Sequence, residues 1–181
     1  SAVMMKEIQY YLENYNGTIG GVKMSNVLQK MQIHYIVMAN PDGVTISQTK
    51  HSRWKSNGRG VDLNRNFPAK HFIPGGKKGE QGYSGPKALS EPESYAVATL
   101  TRQLMKQQNL QGVVNYHAMG RIIYGDCTKG SLKKDTYKMY DIAKKITGYS
   151  KAPDGGSGKS WGGQYREYVM DLLNKPSITI E

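Results

Sequence analysis

Three segments of the chain carry side chains that could take part together in hydrolytic chemistry. Glu181 ends the alternating run Ser177 to Glu181, and a carboxylate at the end of a strand can accept a proton from an activated water. His117 ends another apolar run, and a neutral imidazole at the carboxyl edge of an α/β sheet is a common zinc ligand. Taken singly, such a glutamate is more often simply exposed, and such a histidine more often a hydrogen-bonded core residue.

The third segment is Gly60 to Pro68, where Asn64 and Arg65 stand between apolar residues. The planar fork of arginine matches a carboxylate with two hydrogen bonds, and an asparagine amide can add another donor. The pair therefore suits the anionic end of a substrate. An arginine paired with an internal acid is the structural alternative, and spacing alone does not decide between the two.

The elements that must position these residues alternate between strands and helices. Apolar residues at helical spacing predict helices near 4–15, 139–146 and 165–172. The capping-box pattern from Ser90 to Glu93 predicts another helix start. Strands are predicted at residues 33–38, 112–117, 121–124 and 177–181. The alternation indicates an α/β fold, with a mixed central sheet flanked by helices on both faces.

The sequence also predicts a turn in one connecting segment and a functional role for another. Asn40 to Gly43 has the residues of a tight turn, because proline presets φ and glycine accepts positive φ. Residues 50–90 are rich in glycine and lysine and lack periodicity. Long irregular segments inside compact domains are usually functional.

Composition narrows the class of protein. The 181 residues suit one domain. The single cysteine, Cys127, excludes an internal disulfide and is expected to be a small buried hydrophobe. The net charge of +11 suits an anionic polymer as a partner, such as one in a bacterial wall, and equally suits a surface whose charge only keeps the protein in solution. We expect no nucleic acid partner, because no zinc-finger spacing or long basic helix is present. We expect no membrane span, because no apolar run approaches ~18 residues.

Taken together, the motifs resemble those of the zinc metallocarboxypeptidase family, to which carboxypeptidase A belongs, over essentially the whole chain. The matching motifs, in order, are Asn40 to Gly43, Val61 to Pro68, Tyr83 to Pro86 with Ser90 to Glu93, His117 and Glu181. The resemblance implies a carboxypeptidase-like fold, one zinc ion with His117 as a ligand, and Glu181 as general base. It implies that Asn64 and Arg65 grip the carboxylate of the released residue.

The run Trp54 to Pro68 resembles a bacterial branch of the family in particular. Members of that branch cut peptidoglycan stem peptides between γ-D-glutamate and a diamino acid. The single cysteine and the wall substrate that this resemblance implies suggest secretion or a cell-wall location in a bacterium, and a cytoplasmic recycling role is an equal alternative. It leaves open whether the protein acts as an exopeptidase or an endopeptidase.

Three departures from the family pattern change these expectations. Lys55 stands where carboxypeptidase A has an arginine that polarises the scissile carbonyl, so the resemblance gives it a helper role as a point charge. Aligning on Trp161 puts Gly158 at the place of the family's mobile tyrosine, and that role is not transferred to Tyr165.

The third departure concerns the metal. The family's H-x-x-E motif is absent, since each of the 4 histidines is followed three residues later by something other than glutamate. We therefore expect residues 1–181 to be a truncated catalytic domain that binds zinc weakly and is nearly inactive. A non-catalytic module that binds anionic peptide ends or wall polymer is the alternative.

Overall fold

The computed structural model describes residues 2–70, 72–127, 129–152 and 162–181. The chain divides into two compact units, Ser1–Ala39 and Asn40–Glu181. The positions predicted for the mobile tyrosine and its anchor, Gly158 and Trp161, lie outside the described residues.

The first unit holds two helices and a short hairpin. Helix α1 spans Ala2–Glu13 and α2 spans Met24–Leu28, so the first predicted helix is confirmed. Strands β1 (Thr18–Ile19) and β2 (Val22–Lys23) pair antiparallel. The two glycines between them have positive φ, which a two-residue hairpin turn of this kind requires.

The strand predicted at residues 33–38 is wrong. Residues 31–38 form neither helix nor strand. Both Ile33 and Met38 are exposed, and no described strand pairs with the segment. Apolar residues with high strand propensity form a strand only where a partner supplies the ladder of hydrogen bonds, so the local pattern was not sufficient here.

The second unit contains a mixed sheet, as predicted, and this sheet has four strands among the described residues. Its strands are β3 (Val113–Tyr116), β4 (Ile122–Tyr124), β5 (Ser150–Lys151) and β6 (Ser177–Ile180). Their spatial order is β3-β6-β4-β5. The β3–β6 and β4–β5 pairs are parallel, and the β4–β6 pair is antiparallel.

Helices pack on both faces of this sheet. Helix α5 (Gly130–Thr147) packs Ala143 against Ile123 and Ile178 on one face. Side chains alternate along a strand, so Val113, which pairs with the residue before Ile178, faces the other way. Val113 packs there against a cluster that includes Ala98 of helix α4 (Pro92–Gln108). The same cluster holds residues of α6 (Tyr165–Glu167) and of the π-helical turn Tyr168–Leu172 that continues it.

Two predicted details of the connections are corrected. The segment from Asn40 to Gly43 is not a turn but the start of helix α3 (Pro41–Thr49). The Asn40 side chain caps it by accepting from the Gly43 N–H at 3.0 Å, and asparagine followed by proline suits a helix start as well as a turn. The N-cap of α4 is Glu91 and has no side-chain cap. The predicted capping box is wrong because the Ser90 hydroxyl donates instead to the Glu91 carboxylate, at 2.9 Å.

Candidate active site

The first part of the candidate site lies where β3 and β6 end side by side. Tyr116 and Ile180 are cross-strand partners in the parallel pair, so the residues that follow them emerge together. The His117 N–H donates to the Ile180 carbonyl at 2.9 Å. His117 Nδ1 lies 3.0 Å from Glu181 Oε1, and the two side chains are 34% and 22% exposed. The two residues share one sheet edge, as predicted; their roles as ligand and base remain predictions.

The backbone on both sides fixes the position of Glu181. Its N–H donates to the Ile122 carbonyl at 2.9 Å, and its carbonyl accepts from the Ile122 N–H at 3.1 Å. A Cβ placed at Gly120 would lie 2.8 Å from the Glu181 Cβ and 3.0 Å from its Oε2. Glycine at position 120 therefore leaves the space that the Glu181 side chain occupies.

The second part of the candidate site is a short 3₁₀ turn, Leu63–Arg65, held from both ends. Before the turn, Asp62 accepts from the Asn64 N–H at 3.1 Å and from the Gly82 N–H at 3.2 Å. After the turn, Asn66 is fully buried and donates to the carbonyls of Ser84 and Lys87, at 2.7 and 3.0 Å. Its amide oxygen accepts from the Glu91 N–H and the Ser94 hydroxyl. The inward-facing polar residues thus anchor the loop that carries Asn64 and Arg65.

Both predicted substrate-binding residues are only partly buried. The Asn64 amide oxygen accepts from the Tyr165 N–H at 3.0 Å. One guanidinium nitrogen of Arg65 donates to the Asn64 carbonyl at 2.8 Å. Within the described part of the chain no acidic side chain forms an ion pair with Arg65. The structural alternative, an arginine held by an internal acid, is therefore not what these residues show, and the guanidinium keeps donors for a ligand.

Tyr124, which the sequence analysis did not single out, interacts electrostatically with a residue from each of the two parts, Glu181 and Arg65. Burial raises the pKa of Tyr124, and the Glu181 carboxylate raises it further. The guanidinium groups of Arg166 and Arg65 lower the pKa, and Asp126 raises it. The base and the carboxylate clamp proposed here thus both lie near one phenol. Strand alternation was the available signal, because Ile123 is buried and its neighbour must face the opposite side of the sheet.

The predicted helper Lys55 is not joined to these groups by any contact. Its side chain is exposed and forms no hydrogen bond or ion pair with the residues that the structure describes. The neighbouring Trp54 donates to the Asn57 carbonyl at 3.3 Å, which fixes the local backbone. Tyr165 lies within hydrogen-bond distance of Thr101, at 2.6 Å, and packs on Phe67. It belongs to the core, in agreement with leaving the mobile-tyrosine role unassigned to it.

A catalytic zinc ion does not fit the described residues on their own. Such an ion is normally bound by three protein ligands and keeps an open fourth position. Across residues 2–70, 72–127, 129–152 and 162–181, no group of three or more His, Cys, Asp or Glu side chains could hold a metal. His117 is thus a single predicted ligand, with Glu181 beside it. In the same residues, no helix combines the length and the apolar character needed to cross a membrane.

A mixed sheet with helices on both faces, and with polar residues gathered where parallel strands end, is typical of α/β enzymes. The sequence model of the zinc carboxypeptidase family matches residues 1–168, and the chain therefore belongs to that family. The matched segment ends before Glu181, so the family match does not itself include the predicted base.

Curated relatives support the same family. The chain is 27% identical to γ-D-glutamyl-L-diamino acid endopeptidase 1 of Lysinibacillus sphaericus, over 91% of this chain and 45% of that protein. It is 26% identical to human carboxypeptidase B2, over 94% of this chain and 45% of the relative. The chain thus spans a little under half the length of these relatives.

Solved structures agree on the fold. Thrombin activatable fibrinolysis inhibitor matches 99% of this chain with 48% of its own, at a TM-score of 0.76 and 22% identity. The murein-tripeptide amidase MpaA from Escherichia coli O157 matches 79% of this chain with 56% of its own, at a TM-score of 0.54 and 24% identity. The fold is that of carboxypeptidases.

Proposed function

We propose that the protein carrying this chain is a zinc-dependent metallopeptidase of the carboxypeptidase type, acting on a peptide with a free carboxylate. The observation that carries the proposal is the meeting of His117 and Glu181 at 3.0 Å, where β3 and β6 end. Membership of the zinc carboxypeptidase family supports the dependence on metal.

The proposal requires zinc ligands in addition to His117. The described residues offer one predicted ligand, so zinc would need further ligands from outside them. The 181-residue chain by itself is expected to bind zinc weakly and to be nearly inactive, since affinity follows the number of deprotonated ligands. Atomic absorption after dialysis against a mild chelator measures this. One zinc ion retained per chain would show that ligands within the chain had been overlooked.

The other proposed roles in hydrolysis fall to four residues of this chain. The Glu181 carboxylate accepts a proton from the attacking water and passes it to the leaving amine. Asn64 and Arg65 hold the carboxylate of the released residue, and such positioning contributes several kcal/mol, about 7 in favourable cases. Lys55 supplies positive charge toward the oxyanion of the tetrahedral intermediate, as a point charge rather than a fork.

The proposed substrate is a peptidoglycan stem peptide, cut next to a diamino acid. The names of two similar proteins support this class, since one is a γ-D-glutamyl-L-diamino acid endopeptidase and the other a murein-tripeptide amidase. The net charge of +11 suits work near an anionic wall polymer. The proposed location is accordingly the outside or the wall of a bacterial cell, with a cytoplasmic recycling role as the alternative.

Glu181→Gln in the complete gene product tests the enzyme directly. Glutamine keeps the shape of the side chain and removes its ability to accept a proton, so hydrolysis should stop while zinc content is unchanged. The matched control is Glu80→Gln, the same chemical change at an exposed residue. Turnover of the Glu181 variant within about tenfold of the unmutated protein, a barrier change of about 1.4 kcal/mol, would exclude Glu181 as the base.

A non-catalytic binding module is the second candidate. Two observations favour it: the described residues hold no group of three metal-ligating side chains, and Arg65 has no acidic partner among them. Such a module would bind peptides with a free carboxylate but leave them intact. Binding without hydrolysis by the complete gene product, together with a lack of zinc, would favour the module over the enzyme.

A further inference from the structure

A cavity of about 360 Å³ lies beside helix α5. It is lined by Gly125, Tyr137, Tyr140, Asp141 and Lys151. Its volume falls within the range of about 300–1,000 Å³ that small-molecule sites occupy. None of the roles proposed for the candidate active site uses these residues, so the cavity needs a separate account.

The sheet separates this cavity from the candidate active site. Tyr140 packs against the cluster that Ile123 forms with α5, on one face of the sheet. Tyr124 is the next residue along the strand, and its side chain therefore points to the opposite face. The electrostatic partners of Tyr124 there include Glu181 and Arg65. A ligand in the cavity would thus lie on the other side of the sheet from the proposed catalytic groups.

Two tyrosines give the cavity aromatic walls. Tyr137 and Tyr140 are three residues apart on α5, so their side chains lie on one helix face, one turn apart. A Cβ at Gly125 would lie 2.6 Å from Cδ2 of Tyr140, so glycine leaves the space that the Tyr140 ring occupies. Tyr137 is 44% exposed, and part of its ring is therefore available to a ligand.

Asp141 adds a free hydrogen-bond acceptor to these aromatic walls. It is exposed and follows Tyr137 by four residues, on the same helix face. Its carboxylate forms no ion pair or hydrogen bond with the residues that the structure describes. An aromatic ring beside a free carboxylate suits a sugar, because the C–H face of the sugar packs on the ring and its hydroxyl groups donate to the carboxylate.

The charge of α5 suits a sugar polymer that carries anionic groups. The helix has five lysines and two aspartates, all of them exposed. Lys133 stands four residues before Tyr137, and Lys144 four residues after Tyr140, so both lie beside the cavity. Stem peptides carry free carboxylates along the glycan strand to which they are attached, and lysines attract such groups. The glycan strand of peptidoglycan therefore matches both the cavity and the helix surface around it.

We propose that this cavity binds one sugar ring of a peptidoglycan glycan strand, as a second site that holds the strand while the candidate active site acts on a stem peptide. The sugar packs on Tyr137 and donates a hydroxyl hydrogen to Asp141. The inference rests on the proposed function, in which the stem peptide is the substrate.

Calorimetric titration of the complete gene product with tetra-N-acetylchitotetraose tests this site without any hydrolysis. This tetrasaccharide is an uncharged chain of N-acetylated amino sugars without peptides. Tyr137→Ala should weaken its binding about tenfold or more, whereas Tyr137→Phe, which keeps the ring, should change it by less than about threefold. Asp141→Ala should weaken binding about threefold or more, because it removes the acceptor. Added salt should leave the affinity unchanged, since the ligand carries no charge.

Two control variants match these changes. Tyr95→Ala removes an exposed tyrosine from α4, and Asp135→Ala removes an exposed aspartate from another face of α5. Neither should change the affinity. A thermal melt checks that every variant is folded. No measurable binding of the tetrasaccharide, full affinity in Tyr137→Ala, or an equal loss in Tyr137→Phe each overturn the proposal. Binding of linear polyphosphate in its place would assign the surface to a phosphate polymer and overturn it as well.

A separate hydrolysis assay on a stem peptide without sugar distinguishes failure of this site from failure of the proposed function. A protein whose glycan binding depends on Tyr137 but which cleaves no peptide keeps the glycan site and refutes the enzyme. A protein that cleaves the peptide yet binds no tetrasaccharide keeps the enzyme and refutes the glycan site.

Discussion

Replacing Asn66 with alanine should destabilise the second unit strongly. Asn66 is fully buried. The two N–H groups of its amide are shared among two carbonyls and the Ser90 hydroxyl, and its amide oxygen accepts from the Glu91 N–H and the Ser94 hydroxyl. Alanine removes both groups at once. An unsatisfied buried polar group costs about 1–3 kcal/mol, and some of these partners can rebond after relaxation. We therefore expect a loss of about 3–5 kcal/mol in the free energy of unfolding.

Urea unfolding followed by circular dichroism measures this loss as a lower midpoint with an unchanged slope. The matched control is Gln103→Ala, which removes an amide from an exposed position on α4 and should change stability by about 0.5 kcal/mol or less. A loss below about 1 kcal/mol for Asn66→Ala would refute the reasoning, because it would mean that the buried amide does not hold the loop together.

Three further predictions concern the candidate site and the core. Gly120→Ala should lower kcat without unfolding the protein, because the new Cβ would meet the Glu181 side chain at 2.8 Å; normal kcat would show that the carboxylate does not need this space. Arg65→Ala should lower kcat/KM by about 2–4 kcal/mol on free-acid substrates, with Arg65→Lys recovering little; equal losses on amidated substrates would make Arg65 structural. Burial raises the pKa of Tyr165 above its ordinary value of 10.0, so the folded state binds the phenol proton more tightly than the unfolded state does. This difference contributes to the free energy of unfolding in full below pH 10, and the contribution is lost as the pH rises through the folded-state pKa. Above pH 10, the urea midpoint should therefore fall less steeply with pH for Tyr165→Phe than for the unmutated protein. The same dependence on pH in both proteins would contradict a raised pKa for Tyr165.

The sequence predicted best those residues whose position depends on regular strand geometry. His117 and Glu181 each follow a strand, and two parallel strands in register bring the residues after them together. The prediction of a strand at 33–38 was wrong because a strand forms only beside a neighbouring strand, and local propensity does not indicate whether such a neighbour exists. At Asn40 the same asparagine and proline chemistry suits both a turn and a helix cap, and the local sequence does not distinguish the two; the structure has the helix cap.

Arg166 and Asp126 were missed for a different reason. An arginine in an amphipathic helix ordinarily lies on the solvent side, and nothing local signals that Arg166 is buried. Its contact with Asp126 spans 40 residues. Tyr124 had a usable signal in strand alternation, but its nearness to charges on other segments depends on how the sheet is assembled. Side-chain environments built from distant segments are thus the part that sequence patterns report least.

The order of strands has a consequence for how this protein is made in the cell. Strand β6 lies between β3 and β4 in space but follows both along the chain. While the ribosome is still adding the residues before Ser177, β3 and β4 have no shared neighbour, and each offers an open edge to other chains. Unpaired strand edges make such intermediates prone to aggregation. Biosynthesis should therefore depend on chaperone capacity, and a nascent chain arrested before Ser177 should aggregate more readily than one in which β6 has been made.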